Sequence, residues 1–357
     1  MIKERDVTLD IAKGIGIILM VFGHSRCPEG FSSFIRFFNM PLFFFISGYL
    51  FNEDRGFREF LVRKIKGLWI PFMAFTLLLL IFHNLLYQCN FEHIYYTKER
   101  ILLKLFEIPF LFGWDSLNAG YWFIGALFYI SIIYFLLFAA ISKKKCKKII
   151  TSFILTALVF VLFLISLIIQ KIVSPESTDI VNCFWVEHSV TFLYGLTFYS
   201  FGKLFSVAKK SMALSQWWVL LFIFILGAGA HLFPVRRPFS EISPLFSFYI
   251  VIMGLMGICV VISISAWLNN LKYLRIVFSF VGEHTLVILG LHLICFKIIS
   301  VCYVFLHGYP TKMISQYPVI FDFAHRGGWI IYSFFGIATP LLLAKIKNRI
   351  KSIQLNI

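Results

Sequence analysis

Charged side chains are scarce in this chain. Asp, Glu, Lys and Arg make up 14% of its 357 residues, against about a quarter in a soluble domain. Acids are the scarcer sign, with 17 against 33 bases and a formal charge of +16. In a soluble protein that excess would suggest nucleic acid. Here no basic stretch outside the apolar runs is interleaved with stacking aromatics, so nothing favours a nucleic-acid partner. None of the seven cysteines stands in a Cys-x-x-Cys pair, so neither a zinc site nor a redox motif is signalled, and no metal centre is expected. The chain also has no repeat of fixed period, no low-complexity tract and no polar segment long enough for a separate soluble domain.

What fills the sequence instead is apolar. Hydrophobic residues make up 60% of it, with 44 Phe, in recurring runs of about 20 residues, the length of a helix that crosses a bilayer. The expected fold is an all-α polytopic transmembrane bundle. Ten spans can be placed near 7–25, 31–51, 67–87, 121–141, 149–171, 182–204, 214–233, 244–268, 282–306 and 327–346. An even number puts both termini on one side. With that side taken as inside, 21 Lys and Arg fall in inside segments and 9 in outside ones, while Lys13, Arg36 and Lys297 fall within spans. The positive-inside rule therefore places both termini in the cytoplasm and accounts for the basic charge. The first apolar stretch is interrupted by Asp10 and Lys13 and has no small-x-small cleavage site after it, so it reads as a retained helix. Residues 88–120 contain an amphipathic piece expected on the outer interface or dipping back into the fold, and 307–326 form a second long outer segment. The whole of 1–357 reads as one membrane domain.

The first span carries charges that an anchor has no reason to keep. At about 100° per residue, Lys13 and His24 lie about 20° apart, and Asp6 and Asp10 within about 40° of the same line. An ionised group at mid-bilayer costs about 2.5–3.5 kcal/mol, so each requires a partner or a purpose. An i,i+3 ion pair of Asp10 with Lys13 answers that for two of them. It does not answer for His24, about 16 Å further along the same face at 1.5 Å per residue. Such a stripe fits a proton relay in a transporter or glycolipid flippase as well as it fits catalysis. The polar groups Glu187 with His188 and His292 with Lys297 lie inside later spans and read as helix-packing contacts.

Four stretches narrow the choice. DIAKGIGIILMVFGH (Asp10–His24), NMPLFFFISGYLF (Asn39–Phe51), YWFIGALF (from Tyr121) and GEHTLVILGLH (Gly282–His292) occur in this order over nearly the whole chain. Together they resemble the integral-membrane acyltransferase 3 family, in particular its branch of fucose 4-O-acetylase-like carbohydrate O-acetyltransferases. Lys13 and His24 stand at the family's basic residue and catalytic histidine. Asn39 stands where many members have a histidine before Met-Pro, so the role of that histidine is not carried over, and His284 stands where Asn is usual.

The resemblance implies transfer of an acyl group, usually acetyl, from cytoplasmic acyl-CoA to a hydroxyl of a cell-surface or lipid-linked glycan. It implies a multi-pass protein of the cell membrane, bacterial inner or plasma. The lipid bilayer, the acyl-CoA and the glycan or glycolipid are then its partners. Acetyl-CoA enters as donor substrate, with no permanently bound cofactor; oligomeric state is open. His24, Lys13 and Asp10 form the expected catalytic set, with His24 as general base or as carrier of a transient acyl group. Lys13, Arg63 and Lys64 are expected on the CoA side, where cations suit phosphates. Trp122, Tyr121, Asn118 and Glu283 are expected on the substrate side, with Glu283 balancing Lys13 or orienting His24.

Overall fold

The computed structural model describes residues 6–142, 148–173, 180–208, 213–234 and 244–354. In chain order the helices are α1 (Val7–His24), α2 (Glu29–Arg36), α3 (Asn39–Tyr49), α4 (Phe57–Lys64), α5 (Ile70–Gln88), α6 (Lys98–Glu107), α7 (Trp122–Ser142), α8 (Lys148–Val173), α9 (Ile180–Ala208), α10 (Gln216–Leu232), α11 (Pro244–Asn269), α12 (Lys272–Glu283), α13 (Thr285–His307), α14 (Phe321–Phe323) and α15 (Trp329–Gln354). No strand occurs among the described residues. Eight helical segments among them are long and apolar enough to cross a bilayer. The remaining two expected spans fall on α9 and on the 17-residue α10. Ile81, Leu85, Phe153, Phe224 and Phe334 all point out of the protein and stay exposed. In water that surface would drive aggregation, and hydrocarbon is the solvent that suits it. The protein is an all-α, multi-pass membrane bundle.

Three spans differ from the sequence reading. The second breaks into α2 and α3 around Phe37 and Phe38, and α3 carries Pro41 in its first turn, where a missing N–H costs no helical hydrogen bond. The third begins early, because α4 runs into α5 through a π-turn at Ile65–Trp69. The ninth begins at Thr285, because the chain leaves helical geometry at His284. Ahead of it α12 forms a separate helix with exposed Tyr273, Ile276 and Val277.

The chain divides into two compact units. The first comprises Met1–Ile35, Lys66–Gly125 and Trp267–Ile357. Within it α1 lies directly on α12. A Cβ on Gly14 would strike the Phe278 carbonyl, and one on Gly282 the Asp10 carbonyl. Side chains of this size would force the helices apart, so glycine at both positions sets the closeness of the crossing. α15 then packs beside α1 and α13. Ser333 Oγ bonds Ser25 Oγ at 2.7 Å, and Ser300 Oγ and Tyr332 OH share a bond of 2.8 Å.

The second unit comprises Arg36–Ile65 and Ala126–Ala266. α3 and α9 meet through Gly48 against the Tyr199 backbone and Gly202 against the Phe45 backbone. Lys203, buried on α9, donates to the Phe51 carbonyl at 3.2 Å and pairs with Glu53. Lys148 reaches Glu53 at 3.0 Å and Asp54 at 2.8 Å. Burial opposes ionisation of Glu53, but its bonds to these lysines outweigh it and hold the carboxyl below its usual range.

Candidate active site

At the start of α1 the carboxylate of Asp6 accepts from the N–H groups of Thr8 at 3.0 Å and Leu9 at 3.4 Å. Asp6 is thus the helix N-cap. Asp10 and Lys13 pair at 2.6 Å, with side-chain exposures of 7% and 25%. Low exposure makes this pair costly to break, since a largely buried carboxylate would lose the Lys13 cation. The α12 crossing at Gly282 lies at the same level, which places Glu283 at the Asp10 end. A helix length of about 21 Å separates that level from His24. Glu283 is exposed there and too far away to orient His24.

His24 ends α1 half-buried. Its ring stands edge-to-face against that of His292 on α13, with centres 5.1 Å apart and planes at 82°. His292 is fully buried. Its Nδ1 lies 3.1 Å from the Ile288 carbonyl and 3.0 Å from that of Leu289. A carbonyl can only accept, so Nδ1 carries the hydrogen, and in the neutral ring Nε2 carries the lone pair. Among the described residues no hydrogen-bond partner reaches that buried Nε2.

A short turn, Ser116–Tyr121, lies over this part of α13. A Cβ on Gly120 would stand 2.7 Å from Leu289 and 3.9 Å from the His292 ring. The hydroxyl of Tyr121 occupies the space that a side chain on Gly290 would take, and its ring packs on Phe72 and Phe75. Asn118 is buried, donates to Thr76 Oγ1 at 3.0 Å and accepts from the Asp115 N–H at 2.5 Å. Those bonds pin the turn, and Trp122 opens α7 from its end.

The turn is held in place by a polar network. Asp115 accepts from the Tyr96 hydroxyl at 2.5 Å and sits 3.2 Å from the buried ammonium of Lys104. Ser116 donates to Glu92. Burial raises the Glu92 carboxyl above its usual range, and the nearby Asp115 charge adds to this. Lys297 is buried on α13 and donates to the carbonyls of Ile314 and Gln316, both at 2.8 Å. It thereby ties the 307–326 segment to the same helix. The side chains of Glu187 and His188 lie outside the described residues.

The sequence-derived residues thus fall into three groups. Asp10, Lys13 and Glu283 share one level of the first unit; His24 stands further along α1 against His292, and Asn118 and Tyr121 belong to the turn that packs on α13 beside His292, with Trp122 following it. Arg63 and Lys64 belong to the second unit, on α4; Arg63 is exposed and pairs with Glu59 at 2.9 Å. His292 is the member that sequence reasoning passed over as a packing contact. It closes the GEHTLVILGLH stretch, and that position was the available signal.

Residues 6–345, which carry all of these groups, match the model of a family described as an acyltransferase domain. The chain belongs to the acyltransferase 3 family. It is therefore a membrane-embedded acyltransferase, rather than the transporter or flippase that a charged stripe alone also allows. The match spans both compact units and the whole of α1, including Lys13 and His24. Comparison with curated proteins and with solved structures returns no match.

Proposed function

We propose that this acyltransferase is a carbohydrate O-acetyltransferase of the fucose 4-O-acetylase-like branch. It moves acetyl from cytoplasmic acetyl-CoA to a hydroxyl of a cell-surface or lipid-linked glycan. On this reading both termini lie in the cytoplasm, the whole chain works as one domain in the cell membrane, and acetyl-CoA is a substrate rather than a resident cofactor. The observation that carries the proposal is the placing of His24. It is a half-buried imidazole at one end of α1, beside a second histidine that the Ser116–Tyr121 turn packs against.

His24 removes the proton from the acceptor hydroxyl, whose oxygen attacks the thioester carbonyl. The new C–O bond forms as the C–S bond breaks, and the proton passes from His24 to the departing CoA thiolate. Lys13, at the other end of the stripe, attracts the anionic donor, with Asp10 fixing its direction. Arg63 and Lys64 are the proposed phosphate contacts. Trp122 offers an aromatic face to a sugar, while Asn118 and the buried Tyr121 hold the turn that presents it. Glu283, at the Lys13 end, is assigned to charge balance there.

The test uses the full chain in proteoliposomes with radiolabelled acetyl-CoA and a glycan acceptor. Wild type labels the glycan and His24→Ala does not. Full transfer by His24→Ala would remove His24 from the reaction.

A further inference from the structure

The two imidazoles at the end of α1 carry the observation that the proposed reaction leaves unused. An apolar side chain would fill the space beside Phe296 and Leu289 without burying a polar atom, yet a histidine stands there at zero exposure. One of its nitrogens is committed to two backbone carbonyls, and the other ends without a partner among the described residues. A buried acceptor left in this way is costly and calls for an explanation. The nearest aromatic neighbour is His24, whose ring centre lies 5.1 Å away. An N–H···N bond between imidazoles spans about that distance, with about 2.9 Å between nitrogens and about 1.1 Å from each nitrogen to its ring centre. The present edge-to-face angle leaves that bond unmade. The terminal torsion of a histidine has a broad range, so a turn of the His24 ring about Cβ–Cγ makes it.

We propose that His292 is the positioning residue of the site. Its Nε2 accepts the N–H of the His24 imidazole and so holds the other His24 nitrogen, lone pair outward, toward the acyl acceptor. This rests on the reading of His24 as the base and deepens it. His292 has no exposed surface through which to meet a substrate, whereas His24 is only half-buried. The order is therefore substrate, His24, His292, backbone carbonyl. It is the arrangement of a base oriented by a third group, with a neutral imidazole and two carbonyls in the place of a carboxylate. When His24 takes the hydroxyl proton, the hydrogen bond to His292 stabilises the imidazolium formed. His292 stays neutral throughout, and the proton leaves from His24 to the CoA thiolate. Gly120 contributes by its size, since a side chain there would crowd Leu289 and approach the His292 ring.

Three variants of the full chain, His24→Ala, His292→Phe and His292→Gln, would be compared in proteoliposomes. Phe keeps the ring and loses the acceptor atom; Gln keeps an acceptor oxygen near the place of Nε2. Acetyl-CoA and octyl β-glucoside serve as donor and acceptor, with thermal melting to confirm folding. His292→Phe should lose about 10²-fold in kcat with KM for acetyl-CoA nearly unchanged, the size of a general-base contribution. His292→Gln should recover at least about tenfold of that loss. A second readout is independent of turnover. The 15N resonances of His24 should report one fixed tautomer in wild type and in His292→Gln, and a mixture in His292→Phe. The proposal is overturned if His292→Phe keeps wild-type kcat while His24→Ala is inactive, or if the His24 tautomer is the same in all forms. Absence of transfer by wild type would instead count against the acetyltransferase reading, and the tautomer measurement would still decide the role of His292.

Discussion

Replacing Lys13 by Met separates the two things that the residue does. The Asp10–Lys13 contact is 2.6 Å long, and the Asp10 carboxylate is 7% exposed. Breaking a buried pair from one side costs about 3–5 kcal/mol, because the remaining charge stays desolvated. Lys13 is 25% exposed, so the lower end, about 3 kcal/mol, is the appropriate figure. At about 2–4 °C per kcal/mol for a chain of this class, melting in detergent should fall by about 6–12 °C. The double variant Asp10→Asn/Lys13→Met carries no charge at either position and should regain most of that loss. Its acetyl transfer should stay low if Lys13 serves the donor, and return with stability if the pair is only structural. Melting of Lys13→Met within about a degree of wild type would refute the energetic argument. A double variant less stable than the single one would refute it as well.

Three further perturbations test the frame around the site. Gly282→Leu should cost at least about 1–3 kcal/mol and lower the yield of folded protein, since its side chain meets the α1 backbone. The same change at Gly227, which has nothing within 4 Å of the Cβ position, is the control and should be tolerated. Asn118→Leu leaves the buried Thr76 hydroxyl and the Asp115 N–H without their partner, for about 1–3 kcal/mol each, read by the same melting assay. Glu92, whose carboxyl is raised from 4.5 by burial, makes the folded state bind more protons than the unfolded one. Stability should therefore fall as pH rises from about 4.5 through the raised folded value, and Glu92→Gln should remove that slope from melting curves recorded up to about pH 8.

The spans were legible because lipid imposes one requirement everywhere, long apolar helices with satisfied backbones. The stripe of Asp10, Lys13 and His24 was legible for a related reason, since helical geometry within one segment follows from spacing alone. Asp6 was misread because a residue just before a helix and one within it share the same angular arithmetic. The α12 helix falls in the connection between the eighth and ninth expected spans, since its short amphipathic pattern lacks the length of a crossing. His292 was seen but not placed. Its pairing with His24 joins the first helix to the thirteenth, and periodicity carries no such information. The bonds among Glu92, Asp115, Ser116 and Asn118 were hidden likewise, because they are set by how an irregular segment folds back on α5 and α13. Arg63 illustrates the opposite case. Its basic loop was plain in the sequence, but the exposed pair with Glu59 gives it a local partner and no evident ligand.

The central claim is that acetyl travels along α1 from the Lys13 end to the His24 end. Proteoliposomes of uniform orientation, with labelled acetyl-CoA and glycan acceptor each confined to one face, test it directly. Label should reach the glycan when acetyl-CoA is on the face to which the proposal assigns both termini and the glycan is on the other. Equal labelling with both substrates on the acetyl-CoA face would contradict the account.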